Sequence, residues 1–488
     1  MAKINRILIS LLLIIILSFL ILDLTKEFGS NTDKHSEFSK SSFNLMVNQL
    51  SDVLTNYPSH TDIPRTNFTG TYNVTLFTNP DNADEVIFRY LNTAQSSIYV
   101  SMYTISRPDF NETLINLKTA NPSIDIKVLI SYRRVGSSEN TDTKAAAQSL
   151  VANGIPVYNS TKDDDKVDGY YHAKYWIIDK KHVFIYSGNW SPRSVTPQDD
   201  SYASGEGNRD MGIAVLNNQS IASFFKTEVW DKDVAVADPW PLMSVSEVSL
   251  KDDIPSKPLL TVKAPVMYYP TFDAFNIKEK MTLSPMFTPD NALSIHKAWI
   301  DLANTSIEVQ NQYITQFNDS VDWDSDPSPI VRSLVDAHER GVKIRIQVNE
   351  DSDSDDVTEY LIGKGIDVRW MGKQESSLDE SWLSDTHNKL VIIDSKVTLL
   401  SSINFGKNAF TNNREAGIVV QNIKVADHFK FIFTSDWDDG EIPPYSSATK
   451  DTSSTSEPSS TDSYDTSFSW SVLVISVLFL PILRRKLK

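Results

Sequence analysis

Two histidines and two lysines recur in one frame along this chain of 488 residues. HAKYWIID (172–179) carries His172, Lys174 and Asp179, and HNKLVIID (387–394) carries His387, Lys389 and Asp394 at the same spacing. SGN (187–189) and SIN (402–404) follow at equal distances and add Ser187 with Asn189 and Ser402 with Asn404, so one shift of 215 residues superposes all of it. Lysine ammoniums and asparagine amides offer positive charge and neutral donors to a tetrahedral oxyanion, as a phosphate demands. Two imidazoles, one attacking and one donating a proton to the leaving oxygen, complete a double displacement. The pattern therefore predicts one phosphodiester site shared by two similar halves, with Ser187, Asn189, Ser402 and Asn404 around the phosphate. A metal centre is disfavoured, because lysine beside each histidine repels a divalent cation and the motif holds no carboxylate cluster.

The elements that must position these groups also occur twice. FTNPDN (77–82) answers FTPDN (287–291), SSIYVSMYTI (96–105) answers TSIEVQNQYI (305–314), IDIKVLIS (124–131) answers VKIRIQVN (342–349), and GIPV (154–157) answers GIDV (365–368). Such self-similarity signals a duplicated domain. Alternating apolar strands separated by helical stretches predict an α/β fold, two homologous sandwich halves with a mixed sheet. Each motif reads as a hairpin: HAKYWIID is a strand with His172 and Lys174 on one face, residues 179–182 form the turn, and VFIYSGN returns. Asp179 and Asp394 are expected to hold these turns rather than to touch phosphate.

Over roughly residues 70–440 the chain resembles the phospholipase D superfamily, whose signature is a doubled HxKxxxxD followed by a Ser-x-Asn element. The resemblance implies a phosphohistidine intermediate, no cofactor, and a pair of histidines of which family precedent makes His172 the nucleophile and His387 the acid/base. The sequence itself does not order them. The family also places an acidic residue downstream to orient a histidine, as a triad carboxylate does. That position is Glu415 in NNREAGIVV, 28 residues after His387, and Asp210 in NRDMGIAV, 38 residues after His172, with the loop SVTPQDDSYASGEG (194–207) accounting for the difference. Aspartate where the family has glutamate requires the shorter side chain to sit about one methylene nearer its histidine.

Substrate class is less legible. With 46 Lys and Arg against 63 Asp and Glu, a net charge of −17, the chain lacks the basic face that a duplex-binding enzyme presents. A phospholipid head group, or a short single strand of nucleic acid at a local basic site, is not excluded by that charge. The acidic run DSDSDDVTEYLI (351–362) fails the calcium-loop pattern, with Asp in place of Gly at the sixth position and Ile in place of Glu at the twelfth. It reads as a solvated loop. Three readings remain: a phospholipase D-type hydrolase or transferase, a surface nuclease acting on single strands, and a non-catalytic binding module that has kept the fold.

Both ends carry apolar runs. Lys3 and Arg6 precede ILISLLLIIILSFLIL (7–22), and FSWSVLVISVLFLPIL (468–483) precedes Arg484, Arg485, Lys486 and Lys488. Positive charge outside both runs predicts cytoplasmic tips and a catalytic body on the extracellular face of the cell membrane. The expected organisation is a signal-anchor or signal peptide (1–25), a stalk (26–69), the first half (70–243), a linker (244–265), the second half (266–440), a Ser/Thr-rich tether (441–467), a transmembrane segment (468–483) and a basic tail (484–488). That layout resembles prokaryotic, notably archaeal, surface proteins. The chain has no cysteine, which argues against the cysteine-rich lysosomal relatives of the family and leaves its stability to its cores.

Overall fold

The computed structural model describes residues 63–131, 141–160, 169–197, 207–240, 272–317, 328–350, 352–371 and 383–443. Both terminal apolar runs, the linker 244–265 and the tether beyond residue 443 lie outside these residues. Among the described residues no helix is long and apolar enough to cross a membrane.

The first half runs β1 (Phe68–Asn79), α1 (Ala83–Leu91), β2 (Ser97–Met102), α2 (Pro108–Ala120), β3 (Asp125–Ile130), α3 (Thr141–Ala152), β4 (Val157–Asn159), β5 (Tyr175–Ile178), β6 (His182–Tyr186) and β7 (Gly207–Leu216). It closes with α4 (Gln219–Phe224), a π-helical turn at Phe225–Trp230, α5 (Asp231–Val234) and the short β8 (Asp238–Pro239). The second half repeats the order with β9 (Phe275–Thr288), α6 (Ala292–Leu302), β10 (Ser306–Asn311), α7 (Pro329–Glu339), β11 (Lys343–Asn349), α8 (Ser352–Gly363), β12 (Asp367–Met371), β13 (Leu383–Thr386), β14 (Lys389–Ile393), β15 (Val397–Ser401), α9 (Lys407–Thr411), β16 (Glu415–Gln421) and α10 (Ile423–Asp438). This is the expected α/β repeat. Two boundaries move: β1 begins at Phe68, inside the expected stalk, and the acidic run read as a solvated loop enters α8.

The strands join in one sheet, ordered β12-β11-β10-β14-β15-β16-β9-β1-β7-β6-β5-β2-β3-β4-β8, with β9 and β1 as the antiparallel seam between the halves. The sheet folds back on itself, so that β6 lies against β15 and β16, and β14 against β7, although these strands are distant in the order. Between the facing layers sits a core drawn from both halves, including Tyr175, Ile177, Ile185, Met211 and Ile213 with Phe287, Leu390, Ile392, Leu400 and Ile418. Alternate residues point outward under helices: Trp176, Ile178 and Phe184 in the first half, Val391, Ile393 and Leu399 in the second. Period-two alternation with both faces buried explains why these strands read as nearly continuous apolar runs.

Each motif hairpin turns through residues with positive φ, Asp179 and Lys180 in the first half and Asp394 and Ser395 in the second. Such turns match the twist of the flanking strands. The Asp179 carboxylate accepts the backbone N–H groups of Gln95, Ser96 and Ser97 at 3.0, 2.7 and 3.1 Å. Asp394 accepts those of Asn304, Thr305 and Ser306 in the same way. Burial raises both carboxyls, but the N–H donors overcome it and hold each below the usual carboxylate range. On the outer face Trp176 stacks on its cross-strand partner Phe184 at 4.9 Å, and Trp190 stacks on Phe110 at 4.2 Å. These buried rings fix the strand end that carries Ser187 and Asn189, each contributing about 1.5–3 kcal/mol by burial.

Candidate active site

The motif histidines lie just ahead of their strands, since β5 starts at Tyr175 and β14 at Lys389. This corrects the expectation that His172 and Lys174 share one face of a strand. What holds them is the opposite half. The His172 N–H donates to the Arg414 carbonyl at 2.8 Å, and the His387 N–H donates to the Arg209 carbonyl at 2.9 Å. Tyr171 bridges to Arg414, and β13 pairs with β7 through Thr386 and Arg209.

The orienting carboxylates cross in the same sense. Nδ1 of His172 lies 2.8 and 3.0 Å from the two oxygens of Glu415, and Nδ1 of His387 lies 3.0 Å from Oδ1 of Asp210. Asp210 and Glu415 are therefore histidine partners, but each serves the histidine of the other half. Folding the sheet back on itself brings the start of β16 beside His172 and the end of β13 beside β7, a juxtaposition that spacing along the chain does not contain. Both carboxylate side chains are fully buried, while the histidine side chains retain 14% and 12% exposure. With Nδ1 engaged, Nε2 is the nitrogen left for chemistry on each ring.

Ser187 and Ser402 stand behind the carboxylates rather than around a phosphate. Ser187 Oγ donates to Asp210 at 2.7 Å and Ser402 Oγ to Glu415 at 2.6 Å, and both serines are fully buried. An ionised carboxylate in a dry interior needs such donors, and the hydroxyls supply them. Gly188 makes the close approach of Asp210 feasible, since a Cβ there would fall 2.7 Å from the Asp210 carboxyl. The Oδ1 atoms of Asn189 and Asn404 are buried with no hydrogen-bond partner, so neither amide is committed through that atom to a structural bond.

Lys174 Nζ donates to the His172 carbonyl at 2.7 Å. Lys389 Nζ donates to the His387 carbonyl and to Gln312 Oε1, the latter at 3.2 Å. Burial pulls Lys174 down to about 8 against the opposing pull of Glu415 and Asp210. It pulls Lys389 to about 7 against Asp210 and Glu415, with Lys174 pushing the same way as burial. Each lysine thus feels the carboxylates of both halves, which is the electrostatic signature of one shared site. Burial also lowers both histidines, His387 to about 4. Burial pushes Glu415 up, but His172 and Lys174 hold its carboxyl below the usual range. An anionic phosphate entering between two desolvated lysines would return them toward their charged forms.

The arginines that carry this geometry were not singled out in the sequence, although NRD (208–210) and NRE (413–415) repeat there. Arg209 spans Asp81 of its own half at 2.6 Å and Asp436 of the other at 2.9 Å. Arg414 spans Asp290 at 2.5 Å and Asp233 at 3.1 Å. Each buried guanidinium locks its strand to both halves, its carbonyl seats the opposing histidine's N–H, and the next residue supplies that histidine's carboxylate. Tyr103 and Gln312 were also passed over, because they occupy matching places in the repeat with unlike side chains. Among the described residues no group of three or more His, Cys, Asp or Glu is arranged to hold a metal ion.

The profile of the family described as "Cardiolipin synthase, PLD-like domain" matches residues 87–227 and again 297–437, together more than half of the chain. Phospholipase D Y of Dictyostelium discoideum is 34% identical over 145 residues, which cover 27% of this chain and 31% of that protein. Phospholipase D Z of the same organism is 30% identical over 159 residues, covering 30% and 36%. The matched stretches thus span about a third of the length of those relatives. Among solved structures, phosphatidylserine synthase of Haemophilus influenzae Rd KW20 aligns with a TM-score of 0.52 at 14% identity over 75% of this chain and 87% of that one, a likeness of fold. The doubled sheet, the doubled motif and the doubled profile match lead to one assignment: this chain belongs to the phospholipase D-like family, with both copies of the domain in a single polypeptide.

Proposed function

We propose that the chain is a phosphodiesterase that hydrolyses or transfers the phosphodiester bond of a phospholipid through a covalent phosphohistidine, with no metal ion taking part. The observation that carries this reading is the crossed pair of imidazoles, His172 on Glu415 and His387 on Asp210, facing two buried lysines. In the first step one Nε2 attacks phosphorus while the other histidine gives its proton to the leaving oxygen. In the second, the now neutral histidine takes a proton from water or from an alcohol acceptor, whose oxygen displaces the phosphohistidine. Lys174, Lys389, Asn189 and Asn404 stabilise charge on the non-bridging oxygens. The lysines supply the positive charge that a metal would otherwise provide. Phospholipid is favoured as the substrate by the names of the Dictyostelium relatives and by the net charge of −17, which opposes a long polyanion. The two apolar terminal runs with outward basic residues support a catalytic body tethered at the outer face of the cell membrane.

The test is to incubate the full-length protein, in EDTA, with mixed phospholipid vesicles and a single-stranded oligonucleotide and to follow both by mass spectrometry. Head-group release or exchange with an intact oligonucleotide is the expected outcome. A shortened oligonucleotide with intact lipid would make the chain a surface nuclease, and activity restored only by added divalent metal would overturn the mechanism.

A further inference from the structure

Each motif histidine stands outside the strands on either side of it, and its N–H donates to an arginine carbonyl of the other half. A buried path of side chains then returns from that same arginine to a residue adjoining the histidine. For His172 the path is short. Arg414 Nη2 lies 3.1 Å from Oδ1 of Asp233, whose Oδ2 accepts the Tyr171 hydroxyl at 2.8 Å. Tyr171 precedes His172, so the circuit closes through the peptide bond between them.

For His387 the circuit closes from the other side. Arg209 holds Asp436 through Nε and Nη2, both at 2.9 Å. Asp436 Oδ2 also accepts Gln310 Nε2 at 2.9 Å, and Gln310 Oε1 accepts Asn388 Nδ2 at 2.8 Å. Asn388 follows His387 in the chain. Gln310 Nε2 faces the Asp436 carboxylate and Gln347 Oε1, so reversing that amide would set acceptor against acceptor. The direction of each bond along the path is thereby fixed.

Core packing alone does not ask for these groups. The place of Asn388 in the first motif is held by Ala173, buried in the apolar core, and the place of Tyr171 in the second by Thr386. Gln310 answers Ser101, which donates to the Tyr171 hydroxyl at 3.3 Å. Asn388 Oδ1 is buried without a partner, a cost that alanine would avoid. The two circuits are built from unlike residues on opposite sides of their histidines, so what repeats is the closure. Each circuit fixes an arginine carbonyl that seats a histidine N–H, and the residue after that arginine takes the Nδ1 of the same histidine. Both ends of the imidazole's position thus depend on it, and a displacement of about 1 Å in such a group can cost on the order of a hundredfold in rate.

We infer that Tyr171, and Asn388 with Gln310, are positioning residues that act through Asp233 and Asp436 to place the Nε2 atoms of His172 and His387. This rests on the phosphodiesterase reading above. All three side chains are buried, and they act on the imidazoles through the arginines and the chain.

The experiment uses the full-length protein, with kcat and KM measured on bis(p-nitrophenyl) phosphate and on a phospholipid, ¹⁵N imidazole spectra, and urea midpoints. Tyr171→Phe deletes one oxygen and should lower kcat roughly ten- to a hundredfold, the scale of one hydrogen bond to a charged group. KM should stay near wild type, because the lysines and asparagines are untouched. Asn388→Ala should lower kcat roughly tenfold, the scale of a neutral bond. Tyr171→Phe should shift the ring signals of His172 and spare those of His387, and Asn388→Ala should do the converse. Tyr175→Phe removes a hydroxyl that is buried near Asp233 without a hydrogen-bond partner, and it should change neither kcat nor the spectra. A merely structural role would lower the urea midpoints of Tyr171→Phe and Asn388→Ala while the folded fraction kept wild-type kcat and unshifted imidazole signals, and that result would overturn the assignment. Should Asn388→Ala fail to fold, Tyr171→Phe still decides between the two. Turnover of neither substrate by the wild type would remove the phosphodiesterase reading and the catalytic consequence of the circuits with it, whereas unshifted signals in an active enzyme would remove the circuits alone.

Discussion

Replacing Glu415 by glutamine keeps the shape of the side chain and removes its charge, which makes it the sharpest probe of the crossed architecture. The carboxylate is fully buried and accepts His172 Nδ1 on both oxygens, Ser402 Oγ at 2.6 Å and Asn413 Nδ2 at 3.1 Å. Glutamine offers one acceptor and one NH2, so at least one of these donors must then face another donor. A hydrogen bond to a charged group is worth about 1.5–3 kcal/mol against about 0.5–1.5 kcal/mol for a neutral one, so the link to His172 weakens by about 1–2 kcal/mol. An unsatisfied buried donor adds about 1–3 kcal/mol. If about 2–4 kcal/mol of this falls on the step in which His172 is cationic, kcat/KM drops roughly 30- to 1,000-fold.

The same variant carries a pH signature. The folded Glu415 carboxyl sits below its ordinary range, so it contributes stability that is present above the unfolded pKa and is lost as pH falls through the folded one. Glu415→Gln should therefore be less stable than wild type near pH 7, with the gap closing on acidification. The assay is kcat/KM on the p-nitrophenyl diester together with urea midpoints across pH and ¹⁵N imidazole spectra. Glu415→Gln should perturb the ring of His172, in the other half, and spare His387; Asp210→Asn should do the converse. A ring shift at His387 on mutating Glu415 would refute the crossed pairing.

Other expectations follow from the same contacts. Lys389 and Lys174 are lowered to about 7 and about 8, so stability gains from them as pH rises from those values toward 10.5, where the unfolded lysines also lose their protons. Activity should fall over the same alkaline range in the free enzyme, and a pH profile of kcat/KM flat to pH 10 would contradict it. Asp179→Asn and Asp394→Asn should each cost about 1–3 kcal/mol, read as a urea-midpoint shift, because each carboxylate accepts three backbone N–H groups; the folded fraction should keep its turnover, whereas Lys174→Ala and Lys389→Ala should lose it. Arg209→Met leaves Asp81 and Asp436 buried without their cation, so a loss of about 3–5 kcal/mol is expected in chemical denaturation, and a midpoint within 0.5 kcal/mol (about the scatter of surface substitutions) would show that the ion triad is dispensable.

The sequence by itself determined the duplication, the α/β alternation, the hairpins and the candidate site residues, because these are encoded locally. Period-two apolar runs set the strands, and one motif repeated at fixed spacing set His172, Lys174, His387 and Lys389. It also placed Asp179 and Asp394 at turns, where positive φ and an acceptor for three N–H groups are local demands. It misplaced the partners. Spacing along the chain suggested that Asp210 serves His172 and Glu415 serves His387, and it set Ser187 and Ser402 around the phosphate. Only the fold-back of the sheet decided that each carboxylate crosses to the other half and that the serines stabilise those carboxylates. Arg209 and Arg414 stayed unremarked for the same reason, since an arginine that binds one aspartate of each half has no signature in either half alone. Strand propensity and periodicity act over a few residues, whereas a buried charge is satisfied by whatever the tertiary structure brings within about 3 Å, and that proximity exists only once the two halves have packed.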